Sequence, residues 1–319
     1  MKILVTGGAG FIGRWVVKNL LEKRHDVFII DSLVRGNENN LHEFKKKAHF
    51  KDFYKVDIAN KKALGNIFKE KFDVIFHLAS SCDVGLSIDN PTETFKTDIY
   101  GTFLLLEESR KSNTKFVFVS TCMIYNINAN IAITEESPTM PRSPYAAGKL
   151  ASEGLVLSYQ HAYKLPVVIL RPFNTYGPFG LFEKARGEGG VINLFLKCFI
   201  QNNNLHIYGS GKQTRDFLYV ENCAEYIVRI GLSKRAEGEI FNISTGRETS
   251  INELARIICK DKSRITYIKH HHEQSEIMRL YGDMAKAKKI ILPSVLVSLE
   301  DGIKKTMMWL LRNRQYLKK

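Results

Sequence analysis

Tyr145 and Lys149 lie four residues apart in the segment SPYAAGK and could together perform acid–base chemistry. Side chains at this spacing project from the same face of a helix. An ammonium beside a phenol favours the phenolate, because a nearby opposite charge stabilises the ionised form. A free phenol has a pKa of about 10, so a base active near neutrality needs a shift of roughly 3 units, or about 4 kcal/mol. The pair therefore predicts a tyrosine base, if other elements place it beside a substrate.

Three glycines near the N-terminus have the spacing of a dinucleotide-binding turn. An apolar stretch from Lys2 to Thr6 precedes Gly7, Gly10 and Gly13, and an amphipathic stretch from Phe11 to Leu21 follows. Strand, glycine turn and helix in this order are the context that a dinucleotide fingerprint requires. The first glycine makes a tight turn, the second admits the pyrophosphate to the backbone, and the third lets helix and strand pack closely. The amides and positive dipole of the helix N-terminus favour the phosphates.

A second strand, predicted from Val27 to Ile30, ends next to Asp31. A carboxylate at this point can accept hydrogen bonds from both hydroxyls of the adenosine ribose and would repel a 2′-phosphate. The sequence therefore favours NAD over NADP. Arg35 lies nearby, and we interpret it as a solvated loop residue.

The chain resembles the extended short-chain dehydrogenase/reductase family, which contains nucleotide-sugar epimerases and dehydratases. The resemblance covers nearly all 319 residues and rests on segments that follow one another in the family's order. They are the glycine turn, HLAS at residues 77–80, VST at residues 119–121, the Tyr145/Lys149 pair, and RPFNTYGP at residues 171–178. The resemblance implies that Thr121 is a catalytic hydroxyl and that Lys149 also holds the nicotinamide ribose.

The resemblance also implies which residues contact the NAD cofactor. The positions that match are Gly7, Gly10, Phe11, Ile12, Gly13, Asp31, Ser32, Asp57, Ile58, Leu78, Ala79, Ser80, Tyr145, Lys149 and Pro172.

The implied nucleotide-sugar contacts lie further along the chain. They are Asn174, Val191, His206, Tyr208, Arg215 and Arg279. Arg215 falls where the family places an arginine on the substrate diphosphate, a role that suits a planar bidentate donor. Arg279 resembles a second such arginine. The alternative for both arginines is a structural salt bridge.

Cys122 and Met123 depart from the family pattern at a consequential place. The 4,6-dehydratases have Asp-Glu here, and the related decarboxylases keep the Glu. Removing water across carbons 5 and 6 needs an acid for the leaving hydroxyl and a base for the carbon-5 proton. A thioether can do neither, and a thiol needs a favourable pKa. The change favours a 4-epimerase, unless Glu183 or Glu188 in the following loop supplies the carboxylate.

Asp98 is a second departure, because the family usually has Asn in its Asn-x-x-Gly-Thr motif. The acid is nearly isosteric with the amide and adds charge near the active centre. We assign no catalytic role to Asp98.

The predicted fold is α/β, a Rossmann-type doubly wound parallel sheet with a smaller C-terminal substrate-binding lobe. Strand-like and helix-like stretches alternate through about Leu170, with later strands at Phe72–Phe76, Phe116–Val119 and Val167–Leu170. Such alternation implies a parallel sheet covered by helices. We predict an NAD-binding domain at residues 1–177, with residues 217–246 packing back on it. The nucleotide-sugar-binding lobe is predicted at residues 178–319.

The net charge of +14 raises the question of a nucleic-acid partner. The lysines are scattered, with one run at residues 45–47, and no stripe or reading motif typical of nucleic-acid binding is visible. We attribute the charge to a solvated face and to attraction for an anionic sugar nucleotide. The three histidines at 270–272 point in different directions as adjacent residues, so we predict no metal site.

The cysteine spacing and the lengths of the apolar stretches indicate where in the cell the protein is expected. The five cysteines form no Cys-x-x-Cys motif and no disulfide framework. The first predicted strand begins at Lys2, and no apolar run approaches ~20 residues. We therefore expect a cytoplasmic protein without a signal peptide or membrane contact. Helices predicted around residues 99–108 and 150–163 have apolar faces that pair across a homodimer in the family.

The leading hypothesis is an NAD-dependent nucleotide-sugar 4-epimerase, with a UDP-hexose or UDP-hexuronate as substrate. It would act through a transient 4-keto sugar. One alternative starts from the same 4-keto sugar and continues to 4,6-dehydration or, for UDP-glucuronate, to decarboxylation. In the second case Arg186 could contact the substrate carboxylate. Another is a non-catalytic NAD-sensing or RNA-binding relative. Such a protein has no need of Thr121, Tyr145 and Lys149 together, so their presence favours an enzyme.

Overall fold

The computed structural model describes residues 1–81, 84–125, 131–180, 190–269, 276–292 and 294–317. Its strands are β1 (Lys2–Thr6), β2 (Asp26–Asp31), β3 (Phe50–Lys55), β4 (Val74–His77), β5 (Lys115–Val119), β6 (Val167–Pro172), β7 (Asn174–Tyr176), β8 (Leu205–Tyr208), β9 (Thr214–Arg215), β10 (Phe217–Tyr219), β11 (Ile240–Ile243), β12 (Thr249–Ser250), β13 (Ile265–Ile268) and β14 (Arg279–Leu280).

The α-helices are α1 (Phe11–Glu22), α2 (Lys61–Ile67), α3 (Val84–Asp89), α4 (Pro91–Thr94), α5 (Thr102–Ser112), α6 (Pro144–Tyr163), α7 (Val191–Ile200), α8 (Val220–Leu232), α9 (Ile251–Ile258), α10 (Ala285–Lys288) and α11 (Leu299–Arg312). A π-helical segment, Phe95–Gly101, connects α4 to α5.

A seven-stranded parallel sheet forms the centre of the molecule, in the order β11-β6-β5-β4-β1-β2-β3. The chain builds outward from β1 to β3 on one side and then from β4 on the other. The strand order therefore reverses between β1 and β4, and ligands of such sheets bind beyond the carboxyl ends of the strands at this point. The predicted Rossmann-type α/β fold is confirmed.

Alternate residues of β1 enter different hydrophobic cores. Ile3 and Val5 face the side that is covered by α1 and α8. Leu4 faces the other side, which is covered by α2, α5 and α6. Successive side chains of a strand point to opposite faces, and a sheet covered on both faces needs apolar residues at every position. This explains why the strand sequence ILV is continuously apolar.

The C-terminal part of the chain has a hydrophobic core of its own. Side chains of α7, α9 and α11 pack there with side chains of β8 and β10. The segment between these elements also returns to the central sheet, because β11 pairs in parallel with β6 from Ile240/Ile169 to Ile243/Pro172.

Two predicted helices are observed with wider bounds. Helix α6 carries both the Tyr145/Lys149 pair and the predicted apolar stretch at 150–163. It begins at Pro144, where the Ser143 hydroxyl accepts a hydrogen bond from Ala146 N (3.2 Å) and caps the first turn. The helix predicted around residues 99–108 is observed as two consecutive helical segments, because the π-helical segment runs to Gly101 and α5 starts at Thr102. A π-helical turn contains one residue more than an α-helical turn, and this extra residue has no recognisable sequence pattern.

A buried ion pair joins α6 to β6. The Arg171 guanidinium donates two hydrogen bonds to the Glu153 carboxylate, at 3.0 Å and 2.6 Å, and both side chains are almost fully buried. Arg171 also donates to the Tyr125 hydroxyl and to the Glu135 carbonyl oxygen. This network connects α6, the helix that carries Tyr145, to Arg171 near the end of β6.

The Glu153→Gln variant tests the strength of this pair. Removing one partner leaves an uncompensated buried charge, so we expect the free energy of unfolding to fall by about 3–5 kcal/mol. The matched control is Glu70→Gln, since Glu70 pairs with Lys2 at 2.9 Å and both side chains are half exposed. The control should lose less than about 1 kcal/mol. Equal losses in urea denaturation would contradict a stabilising role for the buried pair.

Candidate active site

A cavity of about 790 Å³ opens at the carboxyl edge of the sheet. Its walls come from the glycine turn, the ends of β2, β4, β5 and β6, the N-terminal part of α6, and residues of α7, β8 and β9. Pockets for small ligands in α/β proteins have this size and this position.

The glycine turn leaves no room for side chains at its two ends. Gly7 has φ +72°, and a Cβ there would lie 2.7 Å from Ala79 N. A Cβ on Gly13 would lie 2.0 Å from Gly7 O. Gly10, at the start of α1, makes no side-chain cap, and the helix N-terminus lies at the cavity. This arrangement fits a pyrophosphate on the backbone of the turn.

The Asp31 carboxylate is fixed by backbone amides. Its Oδ2 accepts from Ala9 N (3.0 Å) and its Oδ1 accepts from Leu33 N (2.8 Å). Burial raises the pKa of Asp31, although these two hydrogen bonds oppose the shift. Each carboxylate oxygen retains acceptor capacity, and the side chain lines the cavity. This position suits a carboxylate that accepts hydrogen bonds from ribose hydroxyls.

The three predicted catalytic residues line the same cavity. Lys149 is almost fully buried, and its Nζ donates to Val119 O at 2.9 Å and lies 4.9 Å from the centre of the Phe118 ring. Tyr145 precedes Lys149 by one turn of α6. Thr121 follows β5, and its Oγ accepts from Met123 N at 3.2 Å. A phenol, an ammonium and a hydroxyl therefore border one space.

Two buried polar atoms beside this space have no hydrogen-bond partner within the described part of the protein. They are the Ser120 Oγ and the Asn174 Oδ1. Both residues line the cavity. Buried polar groups are nearly always satisfied, so two unsatisfied ones indicate that a polar ligand completes the site.

Cys122 and Met123 also line the cavity, next to Thr121. The Cys122 side chain is 2% exposed, and burial raises the pKa of its thiol to about 12. A group with this pKa is a poor proton donor or acceptor near neutrality. The pair of positions therefore offers no acid–base function of the kind that dehydration needs.

The remaining predicted cofactor residues, and most predicted substrate residues, line the cavity as well. They are Gly7, Gly10, Phe11, Ile12, Gly13, Ser32, Asp57, Ile58, Leu78, Ala79, Ser80, Pro172, Asn174, Val191, His206 and Tyr208.

The two predicted diphosphate arginines have different surroundings. Arg215 lines the cavity, where its Nη1 donates to Ile277 O (2.7 Å) and Thr214 O (2.8 Å) and its Nη2 pairs with Glu276. Arg279 is not among the residues of the cavity wall, and its Nε donates to Glu248 at 3.1 Å. Glu276 was not predicted as a site residue, since a lone acid in a loop carries no pattern.

Several residues singled out in the sequence lie outside the described residues. They are Cys82, Glu183, Arg186, Glu188 and the histidines at 270–272. Within the described ranges, no group of three or more His, Cys, Asp or Glu residues could hold a metal ion. None of the helices in those ranges combines the length and apolar character needed to cross a membrane.

Comparisons with known proteins agree with this geometry. Residues 3–244 match the model of the NAD dependent epimerase/dehydratase family, and the chain belongs to this family. The chain is 33% identical to UDP-glucose 4-epimerase of Mycolicibacterium smegmatis (96% of this chain, 97% of the relative). It is 35% identical to dTDP-D-glucose 4,6-dehydratase of Mus musculus (98% and 89%).

Among solved structures, the chain is similar to Pal from Bacillus thuringiensis. The two are 49% identical, with a TM-score of 0.94, over 98% of this chain and 100% of Pal. The cofactor of the family is NAD, and the glycine turn and Asp31 fit it.

Replacing Asp31 tests the cofactor site. If Asp31 accepts hydrogen bonds from the ribose hydroxyls of NAD, Asp31→Asn loses their charge assistance, and we expect NAD affinity to fall about tenfold to a hundredfold. Preference for NAD over NADP should shrink, because the repulsion of a 2′-phosphate is lost. Asp73→Asn is the control, since Asp73 also accepts from a backbone amide (Lys2 N, 2.7 Å) but does not line the cavity. Unchanged NAD affinity in Asp31→Asn by calorimetry would contradict the assignment.

The raised pKa of Asp31 predicts a pH dependence of NAD binding. Burial keeps this carboxyl protonated to a higher pH than an exposed aspartate, and only the ionised form accepts hydrogen bonds at both oxygens. We therefore expect NAD affinity to weaken as the pH falls through this raised pKa. Asp31→Asn should show no such decline in the same pH titration. An identical decline in both proteins would assign the pH dependence to another group.

Proposed function

We propose that this protein is a nucleotide-sugar isomerase that oxidises carbon 4 of the sugar and returns the hydride to the same sugar, with 4-epimerisation as its reaction. The observation that supports this most directly is the composition of one wall of the cavity. Thr121, Tyr145 and Lys149 border it together, whereas Cys122 and Met123 stand where the family's dehydratases have their acidic pair.

The proposed oxidation uses three side chains and the cofactor. When bound, NAD supplies the acceptor for the carbon-4 hydride and later its donor. Tyr145, as phenolate, removes the proton of the sugar 4-hydroxyl. Lys149 favours the phenolate, because a positive charge stabilises an adjacent negative one. The Thr121 hydroxyl donates a hydrogen bond to the 4-oxygen.

The proposed return step reverses the proton transfer on the other face of the sugar. The 4-keto sugar is planar at carbon 4, so it can turn and accept hydride from the opposite side. Tyr145 then gives its proton to the 4-oxygen. No external oxidant or reductant is consumed, and product and substrate have the same mass.

The C-terminal lobe, residues 178–319, is proposed to hold the nucleotide, with UDP favoured by family frequency. Its cavity side chains include His206, Tyr208 and Arg215. Arg215 is paired with Glu276, so a substrate diphosphate would have to share or replace this carboxylate. The role proposed for Arg279 on the diphosphate has weaker support, since Glu248 pairs with it outside the cavity wall.

We also propose a homodimer through the α5/α6 side of the molecule. Phe95, Tyr100, Phe103 and Tyr163 are aromatic side chains in this region, and each is more than one-third exposed. Exposed apolar groups that cluster on one surface are typical of an interface.

A second candidate reaction is 4,6-dehydration or decarboxylation of the same 4-keto sugar. The observation in its favour is the 35% identity to the mouse dehydratase, which is as high as the identities to epimerases. Either lyase reaction would need its acid–base groups from positions other than Cys122 and Met123.

Replacing Tyr145 tests the enzyme class. Tyr145→Phe removes the ionisable oxygen and keeps the ring, so we expect kcat to fall about a hundredfold to ten-thousandfold. NAD should remain bound at near-wild-type affinity, because the ring still fills its place. Turnover of a nucleotide sugar at the normal rate by the Phe variant would exclude the mechanism.

Replacing Cys122 tests whether its thiol takes part in the chemistry. Burial raises the pKa of its thiol to about 12, which disfavours an acid–base role near neutrality. We therefore expect Cys122→Ala to keep kcat within about threefold of wild type, since proton transfer does not pass through it. A pH–rate profile measured alongside should be unchanged. A large loss of kcat with normal NAD and substrate binding would instead give the thiol a chemical role.

A further inference from the structure

Asp98 makes contacts that the proposed chemistry does not use. It lies in the π-helical segment and is 1% exposed. Both of its carboxylate oxygens accept hydrogen bonds from Ser81. Oδ1 accepts from Ser81 N at 3.1 Å, and Oδ2 accepts from the Ser81 hydroxyl at 2.9 Å. One buried side chain therefore holds both the backbone and the side chain of a residue 17 positions earlier.

Ser81 ends the loop that follows β4, residues 78–81, and every residue of this loop lines the cavity. The other end of the loop packs against the glycine turn. Ala79 N donates to Thr6 Oγ1 at 3.3 Å, and a Cβ on Gly7 would approach Ala79 N to 2.7 Å. A shift of this loop would therefore alter the wall against which the cofactor must fit.

Asp98 also contacts the catalytic helix α6. Its backbone carbonyl oxygen accepts from the Ser152 hydroxyl at 2.6 Å. A Cβ placed on Gly148, next to Lys149, would lie 3.4 Å from the Asp98 Cβ. Asp98 is thus a bridge between the loop at 78–81 and the helix that carries Tyr145 and Lys149.

The carboxylate has an effect that the family's usual asparagine would not have. An ionised carboxylate only accepts hydrogen bonds, so the single proton of the Ser81 hydroxyl points to Asp98. Ser81 Oγ then accepts from the Thr94 hydroxyl, 3.1 Å away. An amide at position 98 could still accept from Ser81 N, but its nitrogen would donate to the Ser81 hydroxyl. The direction of this short chain of hydrogen bonds would reverse.

We infer that Asp98 is a positioning residue for NAD. It holds the loop at 78–81 between the glycine turn and α6, and its negative charge sets the orientation of the Ser81 hydroxyl. The inference depends on the NAD site and is independent of which sugar reaction the protein catalyses.

The test compares the NAD dissociation constants of four variants by calorimetry on NAD-free protein. Asp98→Ala removes both hydrogen bonds to the loop, and we expect about tenfold to a hundredfold weaker binding. Asp98→Asn keeps the hydrogen bond from Ser81 N and reverses the one with the Ser81 hydroxyl. We expect this variant to bind NAD about threefold to tenfold more weakly. Ser81→Ala should resemble Asp98→Asn. Ser109→Ala is the control. The Ser109 hydroxyl is buried and donates to Leu105 O at 2.7 Å, but Ser109 does not line the cavity.

A double variant and the thermal midpoint separate positioning from general stability. Asp98→Asn combined with Ser81→Ala should bind NAD no worse than Ser81→Ala alone, since residues in one hydrogen-bond network are not additive. The thermal unfolding midpoints of the NAD-free single variants should stay near the midpoint of Ser109→Ala. If Asp98→Asn and Ser81→Ala bind NAD as tightly as wild type, the inference is wrong, even if Asp98→Ala fails to fold. Additive losses in the double variant would also overturn it.

Discussion

A buried lysine fixes the helix on which the site depends. The Lys149 ammonium is removed from water, and a buried charge is costly unless polar groups replace its hydration. Its Nζ donates to Val119 O at 2.9 Å, at the end of β5. Helix α6 must therefore lie where this contact can form. Because Tyr145 is one turn earlier on α6 and Thr121 follows β5, the same contact brings phenol and hydroxyl to one cavity.

Contacts along α6 reinforce this position. The Ser143 hydroxyl caps its first turn, Asp98 accepts from Ser152, and the Glu153–Arg171 pair ties its middle to β6. The loop at 78–81 packs against the glycine turn, and both line the cavity. The position of Tyr145 is therefore supported by contacts of Ser143, Asp98 and Glu153, which do not line the cavity.

The sequence predicted the parts of the site that depend on local order along the chain. The glycine turn, the acid at the end of β2 and the Tyr145/Lys149 pair are such parts, because strand, turn and helix patterns span few residues. Partners distant in sequence were not predictable. Glu276 meets Arg215 from 61 residues away, and Glu248 meets Arg279 from 31 residues away. The paths of the intervening loops decide these pairs, and no periodicity encodes them. The π-helical turn before α5 was also not predicted, because one extra residue in a helical turn has no recognisable sequence pattern.

The most direct test of the account is to identify the product formed from UDP- and dTDP-linked hexoses and uronates by mass spectrometry and NMR. The account predicts an isomer of unchanged mass, with altered proton coupling at carbon 4 and no net change in the redox state of NAD. Loss of the mass of water or of carbon dioxide would contradict it. That result would mean that residues other than Cys122 and Met123 supply the acid–base groups of a lyase.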